Sequence, residues 1–280
     1  MKSAFKGIFL TIRGMFMKNL IKKYIIDYVK EYENKDDIVT KWGEPLVGFA
    51  DANYDDILNI REATFEGHLM PSDVLENPTV IIAYFVPFDK EIPDSNIEDE
   101  CASKEWVVAY QETNEMFVKL NKYLIREIEK MGYRAAVCQD AGKYDSNIVK
   151  SKWSHRHIAK VAGLGTFGIN NMLISEKGCC GRYFTIVTDL PISPDQPLSE
   201  ENCLYKRKGK GCGICIKHCF SGALTLDNFD RFKCEETCDI NFDIYNKQYS
   251  NKDHKKGNPR GGSTVCGKCV VDLPCSFRRP

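Results

Sequence analysis

The chain has 280 residues, 43% hydrophobic and 28% charged, with 39 basic against 39 acidic side chains. That balance excludes a disordered chain, and a zero formal charge points to no partner. The charge is nonetheless uneven: residues 201–280 hold 15 basic and 9 acidic side chains, which suits an acidic electron donor or a phosphate-bearing substrate, with a solvated face as the plainer alternative.

In chain order, Phe5, Ile8, Phe9, Ile12 and Phe16 follow helical spacing among Lys2, Lys6 and Arg13. This is the pattern of a basic amphipathic helix on a membrane surface, too short to span a bilayer. Arg13 interrupts any signal-type apolar core. Because Met17-Lys18-Asn19-Leu20 reads like an ordinary start, the simpler expectation is that residues 1–16 are a translation-start extension.

Apolar residues at helical intervals predict a helix from Leu20 to Tyr32. Leu46–Asp51 reads as a short buried strand, and Met70-Pro71-Ser72-Asp73 as a turn. Pro78–Pro87, β-branched, aromatic and almost wholly apolar, reads as a central strand covered on both faces. A long amphipathic helix is expected from Glu105 to Met131, with Val107, Tyr110, Phe117, Leu120, Leu124 and Ile128 inward. Gly132 ends it, and strands follow at Tyr133–Val137 and Tyr183–Thr188. Strands alternating with helices point to an α/β (α+β) domain over residues 17–199, and Pro191, Pro194 and Pro197 mark a linker to a smaller domain at 200–280.

Thirteen cysteines are many for a chain with no secretory pattern. In a reducing cytoplasm they remain thiols available to metal. Cys212-x2-Cys215-x3-Cys219 is half of a bacterial-ferredoxin pattern, and Cys266-x2-Cys269, with Cys275 after Pro274, is its partner. In that pattern the cysteine after the three-residue gap is carried to the other cluster. Cys203, Cys212, Cys215 and Cys275 then hold one [4Fe–4S] cluster. Cys219, Cys266, Cys269 and Cys234 hold the second, with Cys238 as the stand-in for Cys234. A zinc ribbon made of the two Cys-x2-Cys pairs is the alternative; it leaves Cys203, Cys219, Cys234 and Cys275 without a role and implies a nucleic-acid-binding module. The adjacent Cys179 and Cys180, beside Gly178 and Gly181, suit a small-residue turn, while Cys101 and Cys138 suit packing.

Gly163-x-Gly165-x-x-Gly168 has the dinucleotide string, but a helical segment precedes it where a strand is required. Glycine here is expected to let the backbone approach a large flat cofactor closely. His155 and His157, two apart, do not share a helix face; each is an acid, a cofactor contact or, by default, a surface residue.

Ala162–Ile174, Gly178 and Thr188-Asp189-Leu190-Pro191, followed by a two-cluster cysteine module, resemble epoxyqueuosine reductase and the related cobalamin-dependent reductive dehalogenases. The resemblance implies a cytoplasmic oxidoreductase whose two [4Fe–4S] clusters pass electrons from a ferredoxin or flavodoxin to cobalamin. It places the corrinoid against Gly163, Gly165, Gly168, Asn170 and Asn171, and makes a modified nucleoside of tRNA, or a small molecule, the substrate. The family carries an aspartate before its glycine block as proton donor. Asp140 and Asp145 are the nearest acids here, and with Tyr144 and His155 they are the candidate proton sources. The rival reading is an electron carrier or corrinoid activator without a substrate of its own.

Overall fold

The computed structural model describes residues 2–250, 252 and 254–280, with side chains from Arg13 onward. Its first helix, α1 (Lys2–Tyr32), is longer than the segment read from Leu20. Met17, Ile21, Ile25, Val29 and Tyr32 recur every three or four residues and are buried, as one helix face must be when it packs on a core. The amphipathic face at Phe5, Ile8, Phe9 and Ile12 lies outside the residues whose side chains are described, and Phe16 is 66% exposed.

The strands in chain order are β1 (Leu46–Asp51), β2 (Val80–Pro87), β3 (Ala135–Ala136), β4 (Tyr144–Asp145), β5 (Lys150–Ser151), β6 (Thr166–Phe167), β7 (Leu173–Ile174) and β8 (Gly181–Thr188). Four of them form one sheet in the order β1-β2-β8-β3, and every pairing in it is antiparallel. The architecture is therefore α+β, and the α/β layering suggested by strand–helix alternation does not form.

All eight residues of β2 are buried, because both faces of the antiparallel sheet are covered. Val80, Ile82, Tyr84 and Val86 pack with α1 and the long helix α6 (Lys104–Lys130). Ile81, Ala83 and Phe85 pack on the opposite face with α7 (His155–Val161). Between these elements α2 (Asp55–Leu58), α3 (Ile60–Ala63), α4 (Pro71–Val74) and α5 (Glu91–Ser95) are single turns. The helix α6 begins where the Ser103 hydroxyl accepts from the Trp106 amide at 3.1 Å, a side-chain cap for an otherwise unpaired donor. It ends at Gly132, whose φ of 85° suits the left-handed residue that closes a helix.

The proline stretch after β8 is tied down across β1. The Asp195 amide donates to the Phe49 carbonyl at 2.7 Å, while the Asp195 carboxylate accepts from the Phe49 amide at 3.0 Å and from Lys18 at 2.6 Å. Beyond it lie α8 (Leu204–Lys208), α9 (Ile214–Lys217) and α10 (Arg231–Gln248). Among the described residues of 200–280, the one β-type pairing is the bridge between Leu224 and Phe229. Tyr245, Val265, Val270 and Val271 join the same core as α1, α6 and the sheet, so the cysteine-rich segment is built onto the larger body.

Candidate functional site

All thirteen cysteines are free thiols, and eight of them sort into two groups. Cys203, the residue before α8, and Cys215 on α9 meet Cys212 and Cys275 around one hollow, which Gly168 and Asn170 also line. Burial, followed by the neighbouring Cys275, Cys203 and Cys212, pushes the Cys215 thiol up to about 12. The second group surrounds Cys269. Burial, then Cys266, Cys234 and Cys219, raises that thiol far above its ordinary value, and Cys266 is raised by burial with Cys234 and Cys219 nearby.

Cys215 of the first group also lies near Cys269, so the two groups adjoin. Among the described residues no three His, Cys, Asp or Glu side chains converge tightly enough for a single metal ion.

Cys238 lies one turn beyond Cys234 on α10, and the two thiols share a hydrogen bond. That bond, with Arg231 and Arg156 nearby, holds Cys234 below its ordinary value. Cys234 is the member of the pair that acts on both Cys266 and Cys269.

The cysteine loops are held by polar anchors on the larger body. Lys268 is 4% exposed, and its ammonium donates to the Asn96 and Glu98 carbonyls at 2.9 and 2.7 Å. Asn96 donates in turn to the Cys266 carbonyl at 2.9 Å, and Asn170 donates to the Cys269 carbonyl at 2.8 Å. Gly267, with φ of 80°, has the Trp106 ring where a side chain would begin. Gly178, with φ of 78°, meets the Ser276 backbone in the same way. The Cys179 and Cys180 amides donate to the Ser276 carbonyl, both at 3.1 Å, so this small-residue turn packs directly beneath the Cys275 loop.

The glycine block is built differently from its expected role. A Cβ at Gly163 would fall 2.5 Å from the Gln196 carbonyl oxygen, and one at Gly165 would overlap the Ile174 backbone. At Gly168 a Cβ would fall 2.5 Å from the Asn170 carboxamide. Close approach is thus required, but by the chain itself: by backbone at Gly163 and Gly165 and by the Asn170 side chain at Gly168. Gly168 and Asn170 reach the first cysteine group through the shared hollow, while Asn171 takes φ of 57° and gives its carbonyl to Arg156 at 2.7 Å.

The four candidate proton sources are not brought together. Asp140 pairs with Lys143 at 2.7 Å on the surface, and that hydrogen bond keeps its carboxyl ionised. Asp145 caps its own turn, accepting from the Asn147 amide at 2.9 Å. Tyr144 is 54% exposed, and its hydroxyl meets Glu235 of α10, which raises it above its ordinary value. That contact brings the β4–β5 hairpin against α10.

Neither His155 nor His157 is the surface residue expected by default. The His155 ring stacks on Phe184 at 4.3 Å between centroids and shares a 2.9 Å hydrogen bond with the Thr185 hydroxyl. Burial, then Arg182 and Arg156, lowers it to about 3, so it stands neutral at physiological pH and is no ready acid. His157 bonds the Ser154 hydroxyl at 2.7 Å and is lowered to about 4 by burial and Arg156.

The sequence reading passed over the arginines. Arg156 on α7 donates to the Asn171 carbonyl and lies near Cys269 and Arg231. Arg182 on β8 lies under the ring of Tyr110 from α6, 4.2 Å from its centroid. A charged residue inside the apolar run Gly181–Thr188 was the available signal.

No protein-family model matches the chain, and no curated protein does. Solved structures do. The epoxyqueuosine reductase of Streptococcus thermophilus aligns over 89% of this chain and 65% of its own at 18% identity, with a TM-score of 0.51. An epoxyqueuosine reductase bound to an epoxyqueuosine-modified tRNA-Tyr stem loop aligns over 92% and 66% at 20% identity, TM-score 0.50. The catabolic reductive dehalogenase NpRdhA with 3-bromo-4-hydroxybenzoic acid aligns over 82% and 30% at 16% identity, TM-score 0.54. The chain thus spans just under two thirds of the reductases' length and less than a third of the dehalogenase's. At these identities the likeness is one of fold, and the chain has the fold shared by epoxyqueuosine reductases and reductive dehalogenases.

Proposed function

We propose that the protein is an iron–sulfur reductase that passes electrons through two [4Fe–4S] clusters to a corrinoid. The observation that carries this reading is the sorting of eight free cysteines into two groups of four. Cys203, Cys212, Cys215 and Cys275 would hold one cluster, and Cys219, Cys234, Cys266 and Cys269 the other. Clusters of this kind supply single electrons at low potential, and a corrinoid supplies the reductive chemistry at the substrate.

The chain's own contribution is to hold, orient and enclose. Asn170 ties the glycine block to the Cys269 carbonyl, which holds that block against the second cysteine group. Arg156 and Arg231, close to Cys234, supply positive charge that favours the thiolate form. Tyr144, against α10 through its Glu235 contact, is the proton source best placed among the four candidates.

The neighbours named above take a tRNA stem loop and a halogenated hydroxybenzoic acid. Lys206, Arg207, Lys208 and Lys210 are exposed in this chain, a basic surface that suits an acidic ferredoxin, a flavodoxin or a nucleic-acid backbone. Among the described residues no helix is long and apolar enough to cross a membrane; thirteen free cysteines suit a reducing compartment, and on that ground we place the reaction in the cytoplasm.

Titrating the anaerobic, iron-loaded protein with cobalamin tests the reductase reading. A saturable change in the corrinoid spectrum, and reduction of the corrinoid when electrons are supplied, is the expected result. Cluster reduction with no corrinoid response would leave a plain electron carrier.

A further inference from the structure

We propose that Arg182 anchors a binding subsite for an oxyanion, the carboxylate, phenolate or phosphate oxygen of a bound molecule, in the crevice along the open edge of β8. The edge is open because β3 pairs with β8 only at Val187 and Thr188. Over residues 181–186 that edge has no strand partner among the described residues; α6 and α7 pack against β8, and Arg231 at the start of α10 lies near Arg156.

Arg182 sits in a strand whose neighbours are mostly apolar and buried, yet its Nε is buried with no hydrogen-bond partner. A buried guanidinium donor without an acceptor is costly, so the position asks for an anion. The Tyr110 hydroxyl accepts a hydrogen bond from the guanidinium, but no carboxylate pairs with it: the ion-paired arginines among the described residues are Arg61, Arg126, Arg134, Arg260 and Arg279. Arg156 and Arg231 share the crevice and are equally without a carboxylate, but cysteine thiols stand near them. No cysteine acts on Arg182; burial and Tyr110 are the influences on it.

Geometry selects the class of ligand. The Tyr110 ring, 4.2 Å from the guanidinium carbon, fixes the plane of the fork. A fork held in plane presents parallel N–H donors to a planar or tetrahedral oxyanion, and a lysine ammonium does not. Neutral His155, 2.9 Å from the Thr185 hydroxyl, adds a polar wall without adding an acid. Tyr110, His155, Arg156 and Arg182 all keep partial solvent contact, while the Arg182 Nε itself is buried.

Two sources present such an oxygen: an acidic substrate, or the phosphodiester of a corrinoid's nucleotide loop. The second rests on the corrinoid reading above; the subsite does not. The test follows thermal unfolding of the iron-loaded protein in inorganic phosphate and in chloride of equal ionic strength. At ten times the half-saturating phosphate concentration, the wild-type Tm should rise by about 2–4 °C relative to chloride. Arg182→Gln should lose that rise, and Arg126→Gln, on the exposed side of α6, should keep it. Arg182→Lys, which retains the charge but not the fork, should need about tenfold more phosphate. Cobalamin that removes the phosphate response, while cobinamide without the nucleotide loop does not, assigns the oxyanion to the corrinoid. Persistence of the response with both assigns it to the substrate. A wild-type protein indifferent to phosphate, or an equal rise in Arg182→Gln, overturns the proposal. A phosphate response at Arg182 in a protein that binds no corrinoid sustains the subsite and refutes the corrinoid reading instead.

Discussion

Gly267→Ala probes how the second cysteine group is held. Gly267 lies between Cys266 and Cys269 with φ of 80°, a conformation that costs an L-residue about 1–2 kcal/mol. A Cβ there would also fall closer than 3.0 Å to three atoms of the buried Trp106 indole. Trp106 is packed against Phe88, with ring centroids 5.4 Å apart, and has little freedom to retreat. Overpacking of this kind costs about 1–3 kcal/mol, and the two effects together come to about 2–5 kcal/mol. Gly132 is the matched control, since its φ is 85° but nothing lies within 4 Å of its Cβ direction. Gly132→Ala should therefore cost only the conformational part, about 1–2 kcal/mol. Thermal unfolding of the iron-loaded proteins at one scan rate separates the two, at about 2–4 °C per kcal/mol for a chain of this size. Iron content gives a second readout: the Gly267 variant should lose the second cluster and fall from about eight irons to about four, while the Gly132 variant keeps both. A Gly267 variant no less stable than the Gly132 variant, with full iron, would refute the packing argument.

Lys268→Met removes two ammonium–carbonyl hydrogen bonds at a nearly buried position and should cost about 2–4 kcal/mol, measured by the same unfolding comparison. Cys234→Ser should lose one cluster's worth of iron and Cys238→Ser should not, since Cys234 is the member of the pair that neighbours both Cys266 and Cys269; iron analysis with EPR decides, and the reverse pattern exchanges the two assignments. His155 and His157 are held at about 3 and about 4 in the folded state, against about 6.5 unfolded. The unfolded chain therefore binds more protons below pH 6.5. Their contribution to stability is complete above that value and falls at up to about 1.4 kcal/mol per pH unit per histidine as pH drops towards 4. Urea unfolding between pH 7.5 and 5 should show a shallower acid slope in His157→Gln.

Much of the frame was legible because it follows from local pattern. The stripe Ile21, Ile25, Val29 and Tyr32 announces a helix face, and the proline-bounded run at Val80–Pro87 announces a strand buried on both sides. What the pattern lacked was direction. An apolar strand is the same string of residues whether its neighbours run parallel or antiparallel, so the α+β sheet had to come from the pairing. The cysteine spacing suggests two groups because ligand intervals reflect how a backbone bends around a centre. Cys234 and Cys238 lie one helical turn apart, and spacing alone left them equivalent.

The glycine block shows the opposite limit. Its sequence says that something must come close to Gly163 and Gly165, but not that the approaching groups are Gln196 and Ile174, brought there from more remote segments. The same is true of Arg182. Inside an apolar strand it is an anomaly, and only the fold shows that Tyr110, 72 positions earlier in the chain, lies over it.

Iron and acid-labile sulfide, quantified in protein purified without oxygen, test the central claim most directly. The expected result is a brown protein with about eight of each per chain, two interacting [4Fe–4S] signals on reduction, and loss of about half the iron in either Cys212→Ser or Cys219→Ser. A colourless protein holding stoichiometric zinc, or one retaining all its iron in both variants, would contradict it.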